Sequence, residues 1–428
     1  MFTRKRLVRA LSSRGGGQQH VSFLERANVE RGDHGSRGRA ALGAYLAARL
    51  VDRILDADGS VADESFIRWQ LQTTWECLGD FGGEDLEAAH VRRLLDAIAR
   101  APAARVASIR SELLRYSRFL ENEDRGEEAL DMLRLAAACS GSDIPADEFC
   151  ELALRAGRLN LRLSRPEQAA EAFLAAGEAA HNASDEAGLL RVRLGETGIA
   201  RLRGDFARAR AGAEGVILDA SSRPELETVA RDAFAELGAV LERAGRPVDA
   251  LRAIYEAFCR TTEADERAEL LCRLGEGLAA LREEEAALAA FDLVHGSEGS
   301  RGARLRAVVG SMSIASARGD RVGFERMRAM GAEFAERSSA EGRVRFLHES
   351  AVGLARFRQF SRAADAWHEA LDLARQHRLS RWERRIERIV GHLDDCRGER
   401  VAEPAPAIAA DVAPLSAGLR TLAALAGR

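Results

Sequence analysis

Lysine is all but missing from this chain: Lys5 is the only one among 63 Lys and Arg side chains. Without a second lysine, a Gly-x-x-x-x-Gly-Lys-Ser/Thr phosphate loop is excluded. Proline is scarce, with 8 in 428 residues, and aromatic side chains make up only 5%. Ala and Leu dominate the apolar set, while the β-branched and aromatic residues that favour strands are few, so the composition predicts an all-helical protein. The six cysteines (Cys77, Cys139, Cys150, Cys259, Cys272 and Cys396) form no Cys-x-x-Cys pair. In a chain this long they read as buried thiols in a reducing compartment. No apolar run reaches 18 residues, which argues against a spanning helix and a membrane partner. The segment Met1–Arg14 has positive charge but no apolar core of the kind a secretory signal needs, so a cytoplasmic location is expected.

Chemistry is equally thin. The nine histidines are dispersed, with no His-x-x-x-His spacing. His368 and His377 would lie about 13 Å apart on an ideal helix, too far to share a metal. A Gly-x-Ser-x-Gly nucleophile elbow is absent, and Arg14-Gly15-Gly16-Gly17 follows no strand pattern. No catalytic residue, cofactor or metal ligand is therefore nominated. The net charge of -4 lacks the basic footprint of a dedicated nucleic-acid binder.

What is present is helical periodicity. Residues 1–39 carry nine basic and three acidic side chains around a Gly run and read as a basic, flexible arm. Residues 40–104 form an N-terminal helical region. It has an amphipathic helix through Tyr45 and Leu50, a second over Asp63–Leu78, and a third over Asp85–Arg100 before Pro102 restarts the chain. Trp69 and Trp75 in the second are read as packing anchors.

From about residue 105 to 376 helix–turn–helix units share one grammar. Glu236-Leu237-Gly238 precedes Gly245 at a turn, then Ala250-Leu251, Ile254 and Ala257 follow. Arg273-Leu274-Gly275 precedes Ala287-Leu288, Phe291 and Val294. Gly157 precedes Ala169, Phe173 and Ala176; Gly353 precedes Ala364, Trp367 and Ala370. Gly195 with Gly204-Asp205-Phe206 fits after a slip of about two residues, and the unit at 109–137 shows the same outline. The stretch 303–335, with Gly310, Met312, Phe324, Met327 and Met330, is the most degenerate, and its methionines are read as core packing. Small residues let paired helices approach closely, and the larger neighbour fills the space towards the next pair. A single pair cannot bury its apolar stripe, so the pairs must stack.

This pattern resembles the tetratricopeptide repeat (TPR) family over residues 105–376. The intervals between glycines 157, 195, 238, 275 and 353 are 38, 43, 37 and 78 residues, longer than the usual ~34. They resemble the longer variant of bacterial regulatory and signalling proteins; another helical-hairpin solenoid is the alternative. The resemblance implies an all-α, right-handed superhelical solenoid of antiparallel hairpins. It also implies a non-catalytic scaffold or adaptor that takes a peptide or protein segment on its concave face. Counted from the repeat glycines, the residues expected there are Arg158, Arg162, Glu196, Arg243, Glu276 and Arg356; the rigid donor fork of Arg suits carboxylates and backbone. Residues 377–400 read as a capping helix, and 401–428 as an Ala/Pro linker with a short helix bearing Leu415, Leu419, Leu422 and Leu425. Two other readings stand beside the scaffold: a regulator touching nucleic acid through the basic arm, and an enzyme using the inner groove.

Overall fold

A computed structural model describes residues 6–7, 11, 20–29, 36–56, 64–79, 85–100, 102–123, 125–139, 144–297, 299–336, 338–377, 379–390 and 412–426. Among these, every regular element is helical. The chain divides into two compact units, Met1–Asp205 and Phe206–Arg428.

The first unit holds α1 (Val21–Val29), α2 (Ser36–Asp56), α3 (Glu64–Leu78), α4 (Leu86–Ile98), α5 (Pro102–Asn122), α6 (Gly126–Cys139), α7 (Ala146–Arg162), α8 (Pro166–Ala183) and α9 (Glu186–Leu202). The second holds α10 (Phe206–Ala220), a short 3-10 turn at Pro224–Leu226, α11 (Glu227–Arg243), α12 (Pro247–Cys259), α13 (Ala264–Ala280) and α14 (Glu284–His295). It continues with α15 (Arg301–Arg318), α16 (Arg321–Glu336), α17 (Ala340–Arg356), α18 (Phe360–Gln376), α19 (Ser380–Val390) and α20 (Ala413–Ala426). Hairpins α5/α6 and α7/α8 build the first unit; α11/α12, α13/α14, α15/α16 and α17/α18 build the second. The helix pair expected around Gly195 and Ala209 falls on the division, with α9 in the first unit and α10 in the second.

The turn inside each pair is the regular part of the repeat. The amides of Arg125, Arg165, Asp205, Arg246, Glu283, Asp320 and Gln359 each donate to the carbonyl five residues earlier, at 2.8–3.0 Å. This is the Schellman closure of a helix end. These seven positions are spaced by 40, 40, 41, 37, 37 and 39 residues. The residue before each of the last six is left-handed: Ser164, Gly204, Gly245, Arg282, Gly319 and Arg358. Pro166 and Pro247 then open the second helix, where a missing amide hydrogen costs nothing.

Glycines in the first helix of a pair accept a large side chain from the second. A Cβ on Gly157 or Gly195 would lie 2.5 or 2.4 Å from the Phe173 ring, and one on Gly275 or Gly310 would lie 2.5 or 2.3 Å from Phe291. Each phenylalanine thus wedges between the first helix of its own pair and that of the next. Gly353 stands against Phe324 in the same way, and Gly238 against Ile254. In the degenerate stretch Met312 is fully buried, while Met327 and Met330 are half-buried.

The arm expected over residues 1–39 does not extend to Val21–Val29. Phe23 is fully buried, and α1 packs on α2 and α6. Paired charges hold it there. Arg26 bonds Glu87 (2.6 Å) and Glu128 (2.9 Å), and Arg125 reaches the same two carboxylates. The Tyr116 hydroxyl donates to Glu87 at 2.7 Å. Burial pushes the Glu87 carboxyl upwards, but Arg125, Arg26 and the Tyr116 hydroxyl outweigh it and hold the group far below its usual range. His20, buried, lies between Asp131 (2.5 Å) and Asp52 (2.8 Å).

Trp69 and Trp75 do not anchor α3. Its buried stripe is Ile67, Leu71, Thr74 and Leu78. Trp69 falls opposite that stripe, 59% exposed beside Phe66, and Trp75 lies on its flank, 37% exposed. Of the cysteines, Cys139, Cys150 and Cys272 are buried thiols as expected; Cys77 is half-buried and Cys259 exposed. Burial lifts Cys139 and Cys272 to about 12. Cys396 lies outside the described residues.

Two of the buried histidines, His20 and His348, respond to pH in opposite directions. Burial, the largest influence, lowers the His20 pKa, but hydrogen bonds and charges from Asp131 and Asp52 raise it above 6.5 overall. Its contribution is full below the unfolded value and is lost as pH rises through the folded one. In the second unit burial, assisted by Arg385, lowers His348 to about 4. That contribution is full above 6.5 and is lost as pH falls from 6.5 towards 4. In the first unit burial, with Arg93 and Arg115, likewise lowers His90 to about 4. Urea unfolding of wild type and His20→Gln at about pH 6 and pH 8.5 should show the variant's deficit shrinking at the higher pH. An equal deficit at both would rule out this role for His20. A His348→Gln chain should lose less stability than wild type between about pH 6.5 and pH 4.5.

Candidate partner-binding face

The six residues expected on the first helices of the pairs divide between the units. Arg158, Arg162 and Glu196 lie in the first; Arg243, Glu276 and Arg356 lie in the second. All six are exposed; Arg158, Glu196 and Glu276 each directly follow a buried glycine, Gly157, Gly195 and Gly275, whose own face is turned to the core.

Their partners separate them. Arg162 reaches from α7 to the Glu121 carbonyl of α5 at 3.4 Å. Arg356 reaches from α17 to α15, donating to the Ser316 hydroxyl at 2.7 Å and the Ser313 carbonyl at 3.4 Å. Glu276 of α13 accepts from Arg306 of α15 at 2.8 Å and from Arg345 of α17 at 3.3 Å. These three tie successive first helices together. Arg158 pairs with Glu151 on its own helix at 3.4 Å, with both side chains about half exposed; such a pair contributes little to stability. Glu196 and Arg243 make no ion pair with any described residue.

The rest of this ladder was not foreseen from the sequence. Arg273 of α13 bonds Glu242 of α11 at 3.2 Å, and Arg306 also pairs with Glu269. In the first unit Arg155 of α7 pairs with Glu121 of α5 and donates to the Ser117 hydroxyl at 3.2 Å. Burial opposes the Arg306 charge, but Glu269 and Glu276 outweigh it and raise its pKa. A signal was available: Arg155, Arg273 and Arg306 each stand on the first helix of a pair, 30 to 38 residues after a glutamate or serine on the preceding first helix. Counting only from the repeat glycines hid it.

Chemically this is a face of alternating guanidinium and carboxylate groups. Among the described residues no group of three or more His, Cys, Asp or Glu side chains is placed to hold a metal ion. The Glu-x-x-His spacing at Glu87–His90 offers none, because Glu87 is held by Arg26 and Arg125 while His90 stacks on Tyr116. Two basic residues of 1–39 are also engaged: Arg26 in the buried cluster, and Arg6 with Glu178 at 3.4 Å. No described helix is long and apolar enough to cross a membrane.

No family model matches the chain. No curated protein sequence matches it either. Among solved structures it is similar to a Rap protein complexed with competence and sporulation factor. That match has a TM-score of 0.46 and 11% identity, covering 79% of this chain and 98% of the other. It is similar to NprR in complex with its cognate peptide NprX, at a TM-score of 0.43 and 12% identity over 76% and 97% of the two chains. It is also similar to the apo form of RapI, at 0.40 and 12% over 62% and 98%. Likenesses this distant carry nothing about what the present chain binds.

Proposed function

We propose that the chain is a non-catalytic interaction scaffold that holds a peptide or protein segment against the charged face of its first helices. The observation that carries this reading is the ladder itself. In the first unit Arg162 is fixed by a bond to a neighbouring helix yet remains exposed, as do Arg158 and Glu196. In the second, Glu276 and Arg356 are fixed in the same way and exposed, as is Arg243. Charges held in place lose less side-chain entropy when a segment binds. Arg forks on such a face suit the carboxylates and backbone carbonyls of an extended segment.

The residues to test are those that do not hold the helices together. Chains carrying Arg158→Ala with Glu196→Ala, or Arg243→Ala alone, should keep the wild-type thermal melt. Each should bind partners captured from the native cell about tenfold more weakly if its unit carries the site. Unchanged affinity in both variants would remove the assignment. Turnover of a small-molecule substrate, abolished by a single acidic or histidine substitution, would replace the scaffold reading with an enzymatic one.

A further inference from the structure

A second surface lies in the second unit, on the opposite kind of helix, and its reading is independent of the charged face. Helix α20 packs on α14, the second helix of its pair. Val412, Leu415 and Leu419 join the buried cluster of Leu251, Ile254, Phe258 and Ala287. Gly418 crosses Tyr255 of α12 so closely that a Cβ there would lie 2.9 Å from the phenol oxygen. Arg420 is the sole charged side chain of α20, and it is exposed.

Two features make this occupant replaceable. Ser416 is 1% exposed, and its hydroxyl has no hydrogen-bond partner among the described residues. A buried, unpaired hydroxyl is a cost that a side chain without one would not incur. In addition, a 14-residue helix is marginal by itself, so its order depends on being seated. Twenty-one residues separate Val390 from Val412 in the chain, a length that reaches about 70 Å when fully extended.

We propose that the face formed by α14 and Tyr255 is a docking site for a short, uncharged amphipathic helix of a partner protein, with α20 as its placeholder in the same chain. The resident helix defines the chemistry the partner must match. It needs apolar side chains at the register of Val412, Leu415 and Leu419, a glycine where Gly418 crosses Tyr255, and a small apolar residue in place of Ser416. This is helix-in-groove recognition, and a tethered competitor sets the threshold a partner must exceed.

The probe is a fluorescent synthetic peptide of residues 411–428, titrated by anisotropy onto the full-length chain and onto the full-length Leu415→Asp/Leu419→Asp variant, which cannot seat its own helix. The peptide should bind the variant at least about tenfold more tightly than wild type. A Ser416→Ala peptide should bind about five- to tenfold more tightly than the natural one, and a Gly418→Leu peptide at least tenfold more weakly. Equal binding to wild type and variant, or indifference to the Gly418 change, would overturn the proposal. So would failure to bind a variant whose circular dichroism and melt match wild type. Should that variant unfold, a full-length chain with a protease site inserted after Ala405 takes its place. After cleavage the peptide must exchange for the released helix, and retention of that helix against excess peptide overturns the idea. A wild-type dimer that the peptide converts to monomer would also overturn it, since the occupant would then be a second copy's α20.

Discussion

Replacing Phe291 by alanine should lower the unfolding free energy of the second unit by about 3–5 kcal/mol, the upper range for a buried side chain. Phe291 is fully buried, and its ring fills the space left by two glycines on two different helices, Gly275 of α13 and Gly310 of α15. Removing the ring opens a cavity that neither glycine can fill, and both helices are fixed by neighbours on their other sides. Alanine at Gly310 attacks the same contact from the opposite direction, because its Cβ would lie 2.3 Å from the ring. Urea unfolding followed by circular dichroism measures the loss. A change below about 1 kcal/mol would mean that the two helices close over the gap, and that the ring is not the wedge it is taken to be here.

Glu87→Gln should destabilise the first unit by a similar amount, about 3–5 kcal/mol, for an electrostatic reason. Two guanidinium groups, Arg26 and Arg125, meet on this one carboxylate, and Tyr116 donates its hydroxyl to it. Glutamine keeps the shape but removes one of the two carboxylates that neutralise these buried cations, which is the costly way to break a buried pair. The change should also loosen α1, since Arg26 is the charge that fastens it. Amide hydrogen exchange in 21–29 would report that loosening. Glu214→Gln is the control: its pair with Arg210 has both side chains nearly half exposed, and no measurable change is expected. If Glu87→Gln behaves like the control, the cluster does not carry the attachment of α1.

Much of the fold was legible because it rests on local chemistry. Leu-Gly pairs, Pro166 and Pro247, and the three- and four-residue apolar spacing place α7, α8 and α11–α14 within a few residues of where they lie. The repeat period was harder to read, for a geometric reason. Gly157, Gly238 and Gly275 stand seven residues before the left-handed turn residue of their pair, Gly195 and Gly310 nine, and Gly353 five. A ring can be met from neighbouring turns of a helix, so the contact survives while the spacing drifts. Measured turn to turn, the stretch around Met312 is as regular as its neighbours. The α1 attachment was illegible because its residues, from Arg26 to Glu128, are about a hundred positions apart and look like ordinary surface charges. Trp69 shows the converse. Size and rarity suggested burial, but its position relative to Ile67 and Leu71 had already put it outside.

The candidate face was legible in register but not in role. Glycine counting found exposed positions on the first helices of the pairs, because exposure follows from helical phase. It did not distinguish Glu276, which two arginines hold, from Arg243, which none does. Partners 30 or more residues away decide that difference.

The seven closed turns also determine where this chain tolerates added length. In the six from Ser164 to Arg358 a left-handed residue precedes the bonded amide, so an extra residue there would break the closure and rotate the following helix away from its glycine. Of the connections from one pair to the next, 184–185 repeats the closure, with Ser184 left-handed and the Asp185 amide on the Ala180 carbonyl at 2.8 Å, whereas 221–226 and 296–300 lack it and differ in length. Ser221 and Ser222 are exposed between α10 and the 3-10 turn at Pro224. Length polymorphism, reporter insertions and epitope tags belong in these two outer connections, where the architecture already varies.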